Sequence, residues 1–352
     1  MSKTACIVVL YKNLGEIKAF LDAAAAQTHG IDLMIMADNT PDESQAREIY
    51  DFCASYFPKF GETLYIRSAA NYGSAAGFAM GMHAAVNQGA DYIWLNDQDG
   101  IPDPDCLENL LKRAEAGPDG VYVPKAINHD REFYAFCANI GRLGNYVDFT
   151  EAEFDSGKPI DSFSTSGVLI SRAVMEKSGV FRYNACFVGG EDTEYSFRIR
   201  RHGFRIFPAK SAVYMHPQFF KRKKLRLPIR NCSYTYKGDL WRADSFCYIN
   251  CLNVRENFSL CYFLLSYMLS FAMTLVLYIK PPRNIDLAKT LKIYNCVLKK
   301  REFPCPVDFS DCISFCRRAK DGEIMEDEGM KRYLEKAIPD LGSILGQQAS
   351  AV

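Results

Sequence analysis

DYIWLNDQDG, residues 91–100, passes within ten positions from an apolar run into two carboxylates separated by a single residue. Ile93, Trp94 and Leu95 predict a buried strand, and Gly100 with Pro102 predicts the turn that follows it. Asp97 and Asp99, placed where the strand gives way to the turn, suit a hard divalent cation held against a diphosphate. Asp is also a common turn residue because it caps its own backbone, so the pair alone does not separate a metal site from an acidic turn.

The chain before this strand supplies its context. ACIVVLY, from Ala5 to Tyr11, is a continuous apolar run of the kind a parallel strand buried on both faces requires. Glu16 to Gln27 carries Ile17, Phe20, Leu21 and Ala24 at helical spacing. A second strand ends at Asp38-Asn39, a helix is expected over Asp42 to Tyr56, and TLYIR forms a third strand. A small-residue loop and a helix to about Gln88 lead to the strand with the aspartates. Strand and helix alternate with short connections, which predicts an α/β fold: a Rossmann-like, mostly parallel sheet flanked by helices. Ligands on such sheets bind beyond the carboxyl ends of the strands, where Tyr11, Asp38, Arg67 and Asp97 all fall.

Gly73, Gly77 and Gly81 recur every four residues, matching neither a dinucleotide fingerprint nor a P-loop. Their period puts them on one helix face, where close packing against the sheet accounts for most of the pattern. Asn71 and Gly73 also open a helix whose free N–H groups are candidates to face a diphosphate. The first strand is followed by YKNLGE, with neither the glycines of a dehydrogenase nor the arginine of a sugar-phosphate nucleotidyltransferase loop.

Two later segments add chemistry. FVGGEDTEYSFRIRRHGFRIF, residues 187–207, predicts paired glycines, a helix opening on Glu191 and Asp192, a stop at Gly203 and a strand. Acids in a first turn are favoured by the helix dipole, and Glu194 with Arg198 makes an i,i+4 pair. The alternative is a carboxylate poised to deprotonate a hydroxyl. AVYMHPQ ends a short strand at His216, which Pro217 biases toward an extended backbone and so toward a sheet edge. SFSTSGVLISRAVMEKSGVF, residues 162–181, predicts a strand and a helix stopped at Gly179, with Ser164, Thr165 and Ser166 as turn residues or sugar contacts. Cys137 to Tyr146 is expected to form a loop or hairpin.

Taken in order, NYGSAAGFAMGM, YIWLNDQDG, GGEDTEY, the His-Pro and NVREN resemble the inverting GT-A glycosyltransferases of the family 2 type, over roughly residues 4 to 258. Within that group they look most like bacterial galactofuranosyl- and rhamnosyltransferases of surface-polysaccharide assembly. The resemblance implies that Asp97 and Asp99 contact Mg²⁺ or Mn²⁺ and the donor phosphates, with His216 completing the metal shell. It implies Asp192 as general base and Glu191 as the residue orienting the acceptor. Tyr11 and Asp38 would line the nucleoside pocket, with Arg67, Asn71, Gly73 and Gln98 also on the donor side. Gln98 departs from the all-acidic triplet of many galactofuranosyl enzymes and is similar to the rhamnosyl subgroup, so both sugars stay open. A UDP- or dTDP-linked donor and a glycan or lipid-linked acceptor are the implied partners. A nucleotidyltransferase and a non-catalytic membrane scaffold are the competing readings.

At 352 residues the chain is long enough for two units, expected as a transferase domain over 1–220 and a mainly helical region over 221–352. Lys+Arg and Asp+Glu are both 42, which gives no overall pull toward nucleic acid. The thirteen cysteines show neither zinc spacing nor a disulfide framework, and the chain opens on no apolar leader, so a cytoplasmic location is expected. Lys221 to Arg230 is rich in basic residues and has no acid, and Phe258 to Ile279 runs 22 residues without a charge. Together they predict peripheral docking on the anionic inner face of a membrane through an interfacial helix.

Overall fold

The computed structural model of the chain describes residues 2–134, 136–140, 146–217, 240–279, 287–301 and 307–348. Its first half builds β1 (Thr4–Leu10), α1 (Leu14–Ala25), β2 (Leu33–Asp38), α2 (Glu43–Ala54), β3 (Glu62–Ser68), α3 (Ser74–Asn87) and β4 (Tyr92–Asp97). β5 (Ile101–Pro102), α4 (Cys106–Glu115) and β6 (Gly120–Ile127) follow, then the small antiparallel sheet of β7 (Cys137–Ile140), β8 (Tyr146–Asp148) and, after α5 (Glu151–Asp155), β9 (Ser162–Phe163). The expected hairpin at Cys137 to Tyr146 is thus β7 paired with β8. β10 (Val168–Ser171), α6 (Arg172–Ser178), α7 (Glu191–Arg201) and β11 (Arg205–Met215) complete this part.

The helices start where their caps are. Asn13 accepts from the backbone N–H groups of Gly15 and Glu16 at the head of α1, and Ile17, Phe20, Leu21 and Ala24 turn to the sheet as their spacing requires. Asp42 caps α2 in the same way. Gly77 and Gly81 of α3 face Val9 and Ile7 so closely that a Cβ at either position would overlap those side chains. The four-residue glycine period is therefore a packing device that lets α3 lie on β1.

The main sheet has ten strands in the order β13-β12-β3-β2-β1-β4-β10-β6-β11-β5. β3, β2, β1 and β4 are mutually parallel, β10 runs antiparallel between β4 and β6, and β6 pairs in parallel with β11. Helices cover both faces, giving two apolar cores separated by the sheet. Trp94, at the centre of β4, is fully buried, and its indole N–H donates to the Gly167 carbonyl at 3.0 Å.

Beyond residue 239 come α8 (Leu240–Asn257), α9 (Leu260–Ile279), α10 (Leu287–Leu298), then β12 (Ile313–Lys320), β13 (Glu323–Glu326) and α11 (Glu328–Gln348). The two strands depart from the helical expectation for this region. β12 pairs antiparallel with β3, so the chain returns to the sheet it started, and α11 packs on α3 and β12. β3 is buried along its whole length and needs a neighbour on its outer edge. Arg317 and Arg318 obscure the strand pattern of β12, yet Arg318 is there to pair with Glu62 and Asp327. The expected boundary between units and the basic run at 221–230 lie largely or wholly outside the described residues. Among the described residues, no helix is long and apolar enough to cross a membrane.

Candidate active site

Register brings the candidates to one edge. β1 lies between β2 and β4, with Leu10 opposite Asp38 and Val9 opposite Asp97, so Asp38, Asp97 and the Tyr11 loop emerge side by side. The turn after β4 exits under Tyr214 of β11. A Cβ on Gly100 would overlap the Tyr214 ring, and one on Gly167 would as well. The Gly after D-x-D is thus demanded by close approach, and the same approach brings β11 and its terminal His216 toward Asp99.

Ligand atoms of Asp97, Asp99 and His216 all lie within 4.8 Å of one another. His216 Nε2 sits 3.2 Å from Asp99 Oδ1, while its Nδ1 lies 2.9 Å from the Pro217 carbonyl. A carbonyl accepts only, so Nδ1 carries a proton; Nε2 is turned to the carboxylates, where its N–H donates to Asp99 when the ring is charged and its lone pair is available to a cation when that proton is lost. That is the orientation in which a His ligates a metal while a backbone carbonyl fixes its tautomer. Burial works against the charged imidazole, but Asp99 and Asp97 outweigh it and raise the His216 pKa. Desolvation, reinforced by the Asp99 charge, pushes Asp97 up to about 6, and Ser166 Oγ donates to its Oδ2 at 2.9 Å. Two carboxylates crowded with one imidazole nitrogen, all oxygen and nitrogen donors, fit Mg²⁺ or Mn²⁺.

The acidic pair opens α7 behind two glycines with positive φ, Gly189 at 86° and Gly190 at 97°. Asp192 accepts from the Thr193 N–H at 2.7 Å, and the Ser164 hydroxyl also supports its ionised form. Burial and then the neighbouring Glu191 charge push Asp192 up to about 7, so desolvation prevails over the helix dipole. A carboxyl poised near neutrality is suited to general-base work. It is close enough to the metal candidates that its charge contributes to raising Asp97.

Glu191 has structural partners that the sequence did not show. It is 6% exposed, accepts from Ser74 Oγ at 2.8 Å and lies against the Cys186 thiol, all facing inward. It fastens the head of α7 to the first turn of α3, close enough to Asp97 that the Asp97 charge adds to the burial that raises its pKa. Asn71 and Gly73 are similarly occupied. Asn71 Oδ1 accepts the Gly73 N–H at 3.0 Å, the Ala75 N–H points at the Phe187 carbonyl, and a Cβ on Gly73 would overlap that carbonyl. These residues build the junction of α3 with the α7 approach, and the N–H donors of Gly73 and Ala75 are turned inward.

Asp38 and Arg67 also lie beneath the surface, 0% and 3% exposed. Asp38 accepts from Tyr65 Oη at 2.9 Å and the Thr40 N–H at 2.8 Å, with Arg67 Nε at 3.7 Å. Burial raises its pKa, and Thr40 and Arg67 offset part of the rise. The pair lies beneath the strand-end edge, whereas Tyr11 is 38% exposed with Lys12 Nζ over its ring. The expected Glu194–Arg198 pair is buried, with Arg182 as a third member that reaches Glu256 on α8. Ser74, Glu16 and Tyr214 were not singled out by the sequence. Their importance comes from contacts with residues 47 to 117 positions away, for which local spacing carries no signal.

Comparison with known proteins bears on this geometry. The family model described as Glycosyl transferase family 2 matches residues 5–179. Galactofuranosyltransferase GlfT1 of Mycolicibacterium smegmatis is 30% identical over 224 residues, 61% of this chain and 72% of that protein. The chain belongs to glycosyltransferase family 2. GlfT1 of Mycobacterium tuberculosis is likewise 30% identical, over 60% of this chain and 69% of the relative. Among solved structures, GalNAc-T7 with UDP, GalNAc and Mn²⁺ superposes with a TM-score of 0.52 at 12% identity, covering 71% of this chain and 47% of that one. S. aureus TarS gives 0.50 at 12% identity, covering 92% and 60%. At that identity the two structures speak for the GT-A fold alone. The family match ends at Gly179, so in this family 2 glycosyltransferase Asp192 and His216 rest on geometry.

Proposed function

We propose that this glycosyltransferase is a metal-dependent, inverting enzyme that moves galactofuranose from a nucleoside-diphosphate donor to a hydroxyl of a growing cell-surface glycan or lipid-linked acceptor. The observation that supports it most is the convergence of Asp97, Asp99 and His216 at the sheet edge, with Asp192 across the site near neutral pKa. A divalent cation bound there supplies charge neutralisation for the departing diphosphate. Asp192, ionised, takes the proton of the acceptor hydroxyl as its oxygen attacks the anomeric carbon, and the sugar–phosphate bond breaks. Ser166 and His216 hold the two metal carboxylates in place. Galactofuranose is preferred to rhamnose because GlfT1 is a galactofuranosyltransferase. Incubation with UDP-galactofuranose and Mn²⁺ is expected to release UDP, with dTDP-rhamnose at least tenfold slower. Release of pyrophosphate from a nucleoside triphosphate, or faster use of the rhamnosyl donor, would overturn the reading.

A peripheral position at the inner face of the cell membrane is part of the same proposal. α9 packs Phe263 and Ser266 inward, yet Leu260, Leu264, Leu265, Met268 and Leu269 are exposed, Met268 at 66%. An uncharged helix with one such face, in a region whose sequence also holds the basic run at Lys221 to Arg230, matches the surface of an anionic bilayer. The protein is expected to sediment with phosphatidylglycerol vesicles and about tenfold less after Leu264→Ser, Leu265→Ser and Met268→Ser together. Equal sedimentation of both proteins would remove α9 from the contact.

A further inference from the structure

The half-buried middle residue of the D-x-D turn is bonded to the loop after β1. Gln98 Oε1 accepts the Tyr11 N–H at 2.6 Å, and Gln98 Nε2 donates to the Tyr11 carbonyl at 3.0 Å and to Glu16 Oε2 at 2.9 Å. One primary amide thus reads both backbone groups of Tyr11 and spends its second N–H on the first turn of α1. Both amide protons are consumed.

The segment it grips is a strained one. Lys12, next in the chain, has φ of 63°, a left-handed conformation at a residue with a long side chain. Asn13 donates its own N–H to the Tyr11 carbonyl, and the Lys12 N–H goes to Thr40 Oγ1 at 3.1 Å. The loop is therefore held from three sides: by Asn13 within it, by Thr40 just beyond β2, and by Gln98 from the turn after β4. Its product is the exposed Tyr11 ring at the strand-end edge.

We infer that Gln98 is a positioning residue: its amide clasps the backbone of Tyr11 and Glu16, tying the metal-binding turn to the loop that presents Tyr11 to the nucleotide. This rests on the transferase reading and deepens it. It also changes what Gln98 reports. With both amide protons used inside the protein, the residue type at 98 reflects how the Tyr11 loop is supported and not which sugar is carried. An acid at this position would lose the donation to the Tyr11 carbonyl and would face the Glu16 carboxylate, so such an enzyme needs a different partner at position 16.

The inference is tested by calorimetric titration of UDP in saturating Mn²⁺, with melting temperatures recorded alongside. Gln98→Met keeps the length of the side chain and removes all three hydrogen bonds. It is expected to weaken UDP binding about tenfold, about 1.4 kcal/mol, with the Mn²⁺ half-saturation within twofold because Ser166 and His216 still hold the ligands. In donor turnover the loss should fall on KM, with kcat within threefold. Gln98→Glu, which sets a carboxylate oxygen against both the Tyr11 carbonyl and Glu16, should be weaker still, and adding Glu16→Gln, which supplies an amide donor to the introduced carboxylate, should recover at least threefold over Gln98→Glu without reaching wild type. If Gln98→Met does not fold, this rescue pair decides alone. UDP binding unchanged in the single variants, loss on kcat with KM untouched, or no rescue in the double variant each overturns the clasp. A wild-type protein that binds neither UDP nor dTDP with Mn²⁺ overturns the functional reading along with it.

Discussion

Asp192→Asn is expected to lower sugar transfer by about a thousandfold while leaving UDP binding within about threefold. Removal of a positioned general base typically costs 10²–10⁴ in rate, and Asn preserves the size of the side chain and its acceptance from the Thr193 N–H. The pH dependence gives the claim a second handle. Asp192 works as a base only when ionised, and burial beside Glu191 raises its pKa to about 7. The rate of the wild-type enzyme should therefore rise with pH through the neutral region, and a bound cation at Asp97 and Asp99 should move that limb to lower pH. Stability should move in the opposite sense. A carboxyl whose folded pKa exceeds its unfolded value binds more protons when folded, so it stabilises the fold below the unfolded pKa and loses that contribution as pH rises through the folded one. Asp192→Asn should accordingly melt above the wild type at pH 8, and the difference should shrink toward pH 4. Calorimetric melting at the two pH values and a single-turnover transfer assay check both halves. A variant with normal turnover would remove Asp192 from the chemistry.

Asp99→Asn should cost roughly as much activity by another route. Several kcal/mol of charge stabilisation on a leaving diphosphate correspond to a loss of about a thousandfold. Asp99 faces Asp97 and His216 at once, so its loss removes a ligand and also the partner that holds Nε2 of the imidazole. Equilibrium dialysis should show Mn²⁺ bound by the wild type in the presence of UDP and at least a hundredfold weaker binding by the variant. Chelation of the wild type should match the variant in activity and be reversed by added Mn²⁺. Turnover that survives both chelation and the substitution would place the enzyme among metal-independent transferases. The contrast with Gln98→Met is deliberate, since that neighbour should affect nucleotide affinity and leave the metal nearly alone.

Much of the α/β frame was legible because its signals are local. Continuous apolar runs at residues 5–11 and 33–37 and helical spacing at Ile17, Phe20 and Leu21 each act within a few residues of where they stand. The return of β12 and β13 to the sheet was not legible. A strand whose exposed positions carry Arg317 and Arg318 declares itself only beside β3, where Glu62 waits for Arg318. The acidic pair shows the same division more sharply. Glu191 and Asp192 are neighbours of like chemistry, and the sequence has no means to show which of them is tied to α3. Ser74, 117 positions earlier, makes that tie by binding Glu191. Asp38 and Arg67 were correctly located at strand ends, but their burial depends on Tyr65 and Thr40 closing over the carboxylate.

Residue types and their order along the chain were sufficient to determine the α/β class, the strand-end location of the aspartates and the resemblance to GT-A transferases, because those features follow from periodicity and from chemistry at single positions. The tertiary structure decided which nitrogen of His216 meets Asp99, that Glu191 is bound by Ser74, and that the amide of Gln98 is spent on Tyr11 and Glu16. Those outcomes turn on directional hydrogen bonds between residues far apart in the chain, and their geometry exists only once the sheet has set the strands in register.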